Sequence, residues 1–379
     1  MKNFRLVTAV TAFSLLLSAG CEKELDTVDN PNLAQQNATQ DEPKAGSGSF
    51  APYEPQYRAL LYRALGNVEP TPCNKITPLL LWTGKQILGW KEKAGFVLSD
   101  TLEGSLRMVE LATYHTAYFQ NSPAEQYYGL NGEYTQPINK GFRALKRFWD
   151  IQSNNIIVVG MHGSMLQDRR KVVRTFQVGY GYSAYKANQY ADSVATLLKT
   201  YPEYLNGIHP VFTLNAFAAP DTAYPGVGQV TAKIIMGDGF LQAYEELGYG
   251  DVAPQATLAH EFGHQIQYQL GILKPGMKLT PEIARRVELM ADAYAAYFLS
   301  HARGAAMQWK RVQQFLDVFF NKGDCEFNNN THHGTHTQRR AAAVWAYNLA
   351  NDTRKQGGIL SSREFARLFD AELPNIVKQ

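Results

Sequence analysis

The 379-residue sequence predicts an α+β protein, rich in helix, in which a small sheet of three or more strands packs on two helices of the chain's second half. Three observations predict it. Short β-branched runs bounded by Gly or Pro recur between residues 155 and 236, and two long helical patterns with clear start signals follow between residues 253 and 300. Hydrophobic residues make up 45% of the chain and charged residues 19%, with 21 Tyr and 19 Phe, a balance that builds a packed core rather than a disordered chain.

Taken in order, the first twenty residues carry Lys2 and Arg5, an apolar stretch over 6–17, then Ser18, Ala19 and Gly20 before Cys21. This is the pattern of a secretory signal peptide, too short to span a bilayer. Small residues leading into a cysteine resemble the lipobox of bacterial lipoproteins, which implies cleavage before Cys21, its acylation, and an exported chain anchored by lipid in the outer membrane, periplasmic or surface-exposed. A plain secreted protein with an incidental Cys21 is the other reading. Residues 21–50, rich in Asn, Gln, Asp, Pro, Gly and Ser, cannot repay the entropy of ordering and read as a flexible tether.

Residues 51–379 show no repeat and no second low-complexity break, so one domain is expected, with its amino-terminal part, 51–150, unassigned beyond helical stretches at 56–65 and 102–119. A strand is expected over 155–159, ended by Gly160, then a helical pattern over 168–199 interrupted near Gly179 and Gly181. Further strands are expected over 211–217, after His209 and Pro210, and over 230–236, closed by Gly237. The next helix should start between Ala253 and Ala256 with Pro254 in its first turn, and stop by Gly271. Thr280 then serves as N-cap and Pro281 as first residue of a helix reaching Ser300.

The net charge of +3 is close to balance, without the concentrated basic face that phosphate neutralisation needs, so nucleic acid is excluded as a partner. Cys73 and Cys325 would meet an oxidising compartment, where they either pair or stay as two separate buried thiols.

The first of the two helices reads Leu258-Ala259-His260-Glu261-Phe262-Gly263-His264-Gln265. Histidines four apart lie one above the other on one helical face, so both imidazoles can reach one metal ion. Glu261, rotated about 100° from His260, borders that ion instead of joining the face, which is where a general base belongs. A tetrahedral catalytic zinc needs a third protein ligand and an open position. The following helix offers Glu288 as that ligand, and Asp292, four residues on, as acceptor for the second ring N–H of a ligand histidine. The bland alternatives are a solvated histidine pair, an ordinary surface acid at 288 and a salt-bridged acid at 292.

His260-Glu261-Phe262-Gly263-His264 followed by Glu288-Leu289-Met290-Ala291-Asp292 resembles the gluzincin metallopeptidases, and more narrowly the bacterial putative neutral zinc metallopeptidase family. That family shows, near its end, a Gly-Asp and a His-Gly-Thr followed by Gln-Arg, matched here by Gly323-Asp324, His333-Gly334-Thr335 and Gln338-Arg339. The resemblance covers roughly residues 211–343. It implies a zincin-like fold, one zinc ion per chain and a peptide or protein substrate, hydrolysed by a metal-activated water with Glu261 as general base. It also implies that the strand at 230–236 is the sheet edge on which an extended substrate pairs. The oxyanion of such a reaction needs a donor, and His333 is the leading candidate beside His332, His336, Tyr294 and Tyr297. His115, His162, His209 and His301 carry no local metal pattern and read as structural. A competing reading is a zincin-fold cell-surface binding lipoprotein, catalytically weak or inactive; the presence of Glu261 favours the enzyme.

Overall fold

The computed structural model describes residues 73, 77–95, 108–123, 126–325, 327, 330, 332–355 and 358–378. The expected signal peptide, Cys21, the tether and the helical stretch at 56–65 lie outside the described residues, as does the 102–107 part of the next one.

Among the described residues, four helices come first: α1 (Pro78–Gln86), α2 (Glu92–Gly95), α3 (Met108–Phe119) and α4 (Thr135–Phe148). Strand β1 (Ile157–Met161) leads through a 3-10 turn into α5 (Arg169–Gly179) and α6 (Ala184–Thr200), separated where the glycines predict it, with the Ser183 hydroxyl accepting from Lys186 N–H to start α6. Strands β2 (Ala216–Ala219), β3 (Thr222–Tyr224), β4 (Gly228–Val230) and β5 (Lys233–Gly237) follow, then α7 (Asp238–Glu246), α8 (Ala253–Gln269), α9 (Pro281–Ser300), α10 (Trp309–Lys322), α11 (His336–Lys355) and α12 (Ser362–Ile376). The architecture is α+β and helix-rich, with a small mixed sheet.

That sheet has the order β1-β5-β2. β1 runs parallel to β5, Ile157 opposite Lys233, and β2 runs antiparallel to it, Ala216 opposite Met236. The strand expected over 230–236 is therefore two: β4 pairs with β3 in a separate hairpin, and β5 lies in the centre of the main sheet. A strand bonded on both sides has no free main-chain groups for a substrate, so the edge assigned to this segment is corrected: among the described residues the edges are β1 and β2. The segment expected as a strand over 211–217 splits likewise. Pro210 opens a 3-10 turn, Pro210–Thr213, whose first free N–H, that of Val211, is accepted by His209 Nδ1 at 3.3 Å, and extended pairing begins only at Ala216. Gly160 does not end β1 but sits inside it, because a Cβ there would stand 2.5 Å from the Tyr127 carbonyl oxygen.

The sheet is tied to the amino-terminal helices by a buried cation. Lys233, at the start of β5, reaches the carbonyl oxygens of Ala117 at 2.8 Å and Gln120 at 2.6 Å, and Asn121 Oδ1 at 2.7 Å, so its ammonium closes the carboxyl end of α3. A single cluster of buried apolar side chains extends from Leu79 in α1 to Val377 after α12, so the described part of the unassigned 51–150 segment shares its core with the rest. Cys73 and Cys325 are bonded to each other, which resolves the two alternatives left open by the sequence. Among the described residues no helix is long and apolar enough to cross a membrane.

Candidate metal centre

α8 packs on α4 and α9 and against strands β2 and β5, so nearly every residue in it is buried, polar ones included. Gln265 uses this position to bind the sheet, its amide donating to the carbonyls of Ala219 (3.0 Å) and Lys233 (2.9 Å). α9 starts as its sequence demands, with the Thr280 hydroxyl accepting from Ile283 N–H and Pro281 at the first position. Where the two helices meet, Gly263 faces Ala291: a Cβ on residue 263 would stand 3.1 Å from Ala291 Cα. Close approach at this point lets a carboxylate on α9 reach the imidazoles of α8.

Glu288 Oε2 lies 3.4 Å from His260 Nε2, and Glu288 Oε1 lies 3.3 Å from His264 Nε2. The Glu261 carboxylate stands farther off, 4.0 Å from His260 Nε2. Both rings are held from behind. His260 Nδ1 faces Asp292 Oδ1 at 2.8 Å, and His264 Nδ1 meets Gln267 Oε1 at 2.8 Å while the Gln267 amide donates to the carbonyl of Val287 at 2.7 Å. An acceptor behind each Nδ1 holds a ring proton there, so that Nε2, facing Glu288, is the nitrogen each ring can offer to a cation.

His260, Glu261 and His264 form a fully buried group able to hold a metal ion. Donors about 2.0–2.1 Å from a tetrahedral ion stand about 3.3–3.4 Å apart, and the spacings from Glu288 to the two imidazoles match. The lone pairs agree. His264 Nε2, both oxygens of Glu288 and both oxygens of Glu261 are buried without a hydrogen bond, a costly arrangement that a cation would satisfy. The electrostatics are those of a cation site: burial alone would lower His264, but the carboxylates of Glu288 and Glu261 outweigh it and raise the imidazole to about 9. Burial would raise Glu288, yet the charges of His264 and His333 bring it well below the usual carboxylate range.

His333 thus lies within electrostatic reach of the centre. Its ring is oriented by Asp324, whose carboxylate accepts from His333 Nδ1 at 3.0 Å and His333 N–H at 2.7 Å, and contacts His332 Nδ1 at 2.5 Å. Against its burial, these two histidines hold Asp324 far below the carboxylate range. The other donors considered from sequence have different tasks. Tyr294 donates to the Ser362 carbonyl at 2.7 Å, Tyr297 accepts from Leu360 N–H at 3.2 Å, and His336 has a ring nitrogen within 4.8 Å of both sulfurs of the Cys73–Cys325 disulfide. His115, His162, His209 and His301 are engaged in packing and capping: His162 stacks on Tyr127 with Nδ1 2.9 Å from Asp238, and His301 contacts the Gly358 carbonyl at 3.0 Å.

Three contributors carry no role in the sequence reading. Gln267 could have been found, being three residues from His264 on the same helical face. Asp324 and Arg339 appear there only as parts of a signature, because nothing local shows that they turn inward. Arg339 is almost wholly buried and binds both oxygens of Asp292, at 2.6 and 2.8 Å. No protein-family model, curated protein or solved structure matches this chain.

Proposed function

We propose that this protein is a zinc-dependent peptidase, exported and lipid-anchored through Cys21. One observation carries the reading: two helices in close contact bring the Glu288 carboxylate within 3.3–3.4 Å of the Nε2 atoms of His260 and His264, near the spacing of zinc donors, with the unpartnered carboxylate of Glu261 beside them. His260, His264 and Glu288 would hold the ion; zinc bound there supplies Lewis acidity toward a carbonyl and acidifies a water. Glu261 accepts the proton of the attacking water and carries it to the departing amine nitrogen, a task suited to a carboxylate with no competing hydrogen bond. His333, with its Nδ1 turned to Asp324, would donate from Nε2 to the developing oxyanion as an imidazolium, whose charge that carboxylate balances.

The substrate strand pairs with β2. Gly237 N–H donates to the Asn215 carbonyl, which fixes the phase of the β2–β5 ladder so that the main-chain groups of Ala216 and Ala218 point away from β5. An extended peptide added at that edge runs beside α8, which packs on the same strand.

The test is metal content together with hydrolysis of a quenched-fluorescence peptide library. Wild type should carry about one zinc per chain and cleave, His260→Ala should lose both, and Glu261→Gln should keep the zinc and lose cleavage. Zinc-free wild type after metal addition would overturn the reading in favour of a surface binding protein, and equal cleavage by Glu261→Gln would overturn the role of that residue.

A further inference from the structure

We propose that Arg339 is a positioning residue of this centre, clamping Asp292 and, through it, the His260 ring in the orientation that binds the metal. The inference rests on the zinc reading above and goes beyond it. A guanidinium is costly to bury, and Arg339 on α11 is among the largest side chains with almost no solvent contact. Its donors account for that position. Nε and Nη2 take the two oxygens of Asp292 at 2.6 and 2.8 Å, and Nη1 reaches the carbonyl of Lys322, at the end of α10, at 3.3 Å.

A two-pronged contact of this kind forbids the carboxylate to rotate about its terminal bond, which an ammonium could not do. The same Oδ1 that accepts from Nη2 is the atom 2.8 Å from His260 Nδ1, so the guanidinium sets where that acceptor points. Nη2 also stands 3.4 Å from Glu288 Oε2, which gives two buried acids four residues apart on α9 a shared counter-charge. Asp292 and Glu288 lie on α9, which packs against both α11, the carrier of Arg339, and α8, the carrier of His260.

A merely structural clamp exists on the same helix and supplies the control. Arg286 of α9 binds Asp370 of α12 through two buried contacts, at 2.9 and 2.8 Å.

The experiment measures the zinc dissociation constant by competition with a chromophoric chelator, and the visible spectrum of the Co2+ form, for the purified protein and five variants. Arg339→Met should weaken zinc about 10- to 100-fold and alter the Co2+ bands, whereas Arg286→Met should lower the melting temperature and leave affinity and spectrum unchanged. Asp292→Asn should weaken zinc by itself, and Arg339→Met should weaken it less in that background than in wild type. Arg339→Lys, which keeps the charge without the fork, should lie between wild type and Arg339→Met, and it carries the test if the methionine variant does not fold. Wild-type affinity in Arg339→Met and Arg339→Lys, an equal loss in Arg286→Met, or additive losses in the double variant would overturn the inference while the zinc reading stands. Wild-type protein that binds no zinc would overturn both.

Discussion

Asp324 gathers His332 Nδ1, His333 Nδ1 and the His333 main-chain N–H on one carboxylate, so the orientation of His333 is fixed by the fold itself. Removing a prepositioned oxyanion donor costs about 10²–10³ in kcat. His333→Ala should fall in that range with zinc content unchanged, and Asp324→Asn should change kcat in the same direction; steady-state kinetics with parallel metal analysis checks both. A different pair of histidines should contribute to the loss of stability in acid. Burial pushes His209 down to about 4, and burial together with Lys171 and Arg174 does the same to His115. A folded-state value below the unfolded 6.5 gives stability that is present above pH 6.5 and lost as pH falls toward 4, about 3 kcal/mol for each ring at full protonation. His209→Asn keeps an acceptor for Val211 N–H and removes the titration, so its melting temperature should fall less than that of wild type between pH 7 and 4. At this scale the sequence discloses what a helix brings together and hides what a tertiary contact brings together. His260, Glu261 and His264 follow from the helical period, and Glu288 with Asp292 repeats it on the next helix. Arg339 reaches Asp292 from 47 positions away, a distance over which no periodicity operates.

The pair α8 and α9 is the element on which the centre depends, and Gly263 sets how closely the two approach. Gly263→Val would place two methyl groups where Ala291 already stands, at a cost of about 1–3 kcal/mol from overpacking. It should also draw Glu288 away from the imidazoles. Thermal unfolding should show the first effect and zinc titration the second; a variant that melts lower yet binds zinc normally would show that the bite of the site does not depend on this contact. The ends of these helices were legible, since Pro254, Thr280 and Pro281 act through local sterics and one hydroxyl contact. Strand order was not. Whether a β-branched run becomes a centre or an edge depends on partners far along the chain, and the parallel pairing of β1 with β5 spans 76 residues at every position of its register. Residues 228–237 illustrate it: one continuous run by composition divides between two sheets because β4 finds β3 and β5 finds β1 and β2.

On the scale of the whole molecule, a bound metal and the disulfide would act on the same folded state by different routes. A ligand that binds only the folded chain stabilises it by about 4 kcal/mol when its free concentration is about 1,000 times Kd. Chelation should therefore lower the melting temperature, by an amount that grows with the zinc concentration of the reference sample, and His260→Ala should show no such dependence. Opening the Cys73–Cys325 bond, which joins positions 252 apart, should remove about 2–5 kcal/mol of stability, measurable as a lower denaturant midpoint in Cys73→Ala/Cys325→Ala. Because Cys325 adjoins Asp324, the same variant should lose activity toward peptides before it loses zinc. The bond has one more consequence, for what a cut does to the molecule. Main-chain cleavage anywhere between positions 73 and 325, by this protein or another, leaves both pieces covalently joined, with α8 on one side and the His333 loop still tethered to it. A nicked population would run as a single species until a reductant is added and then part into fragments, so wear on the chain can accumulate without dismantling the centre.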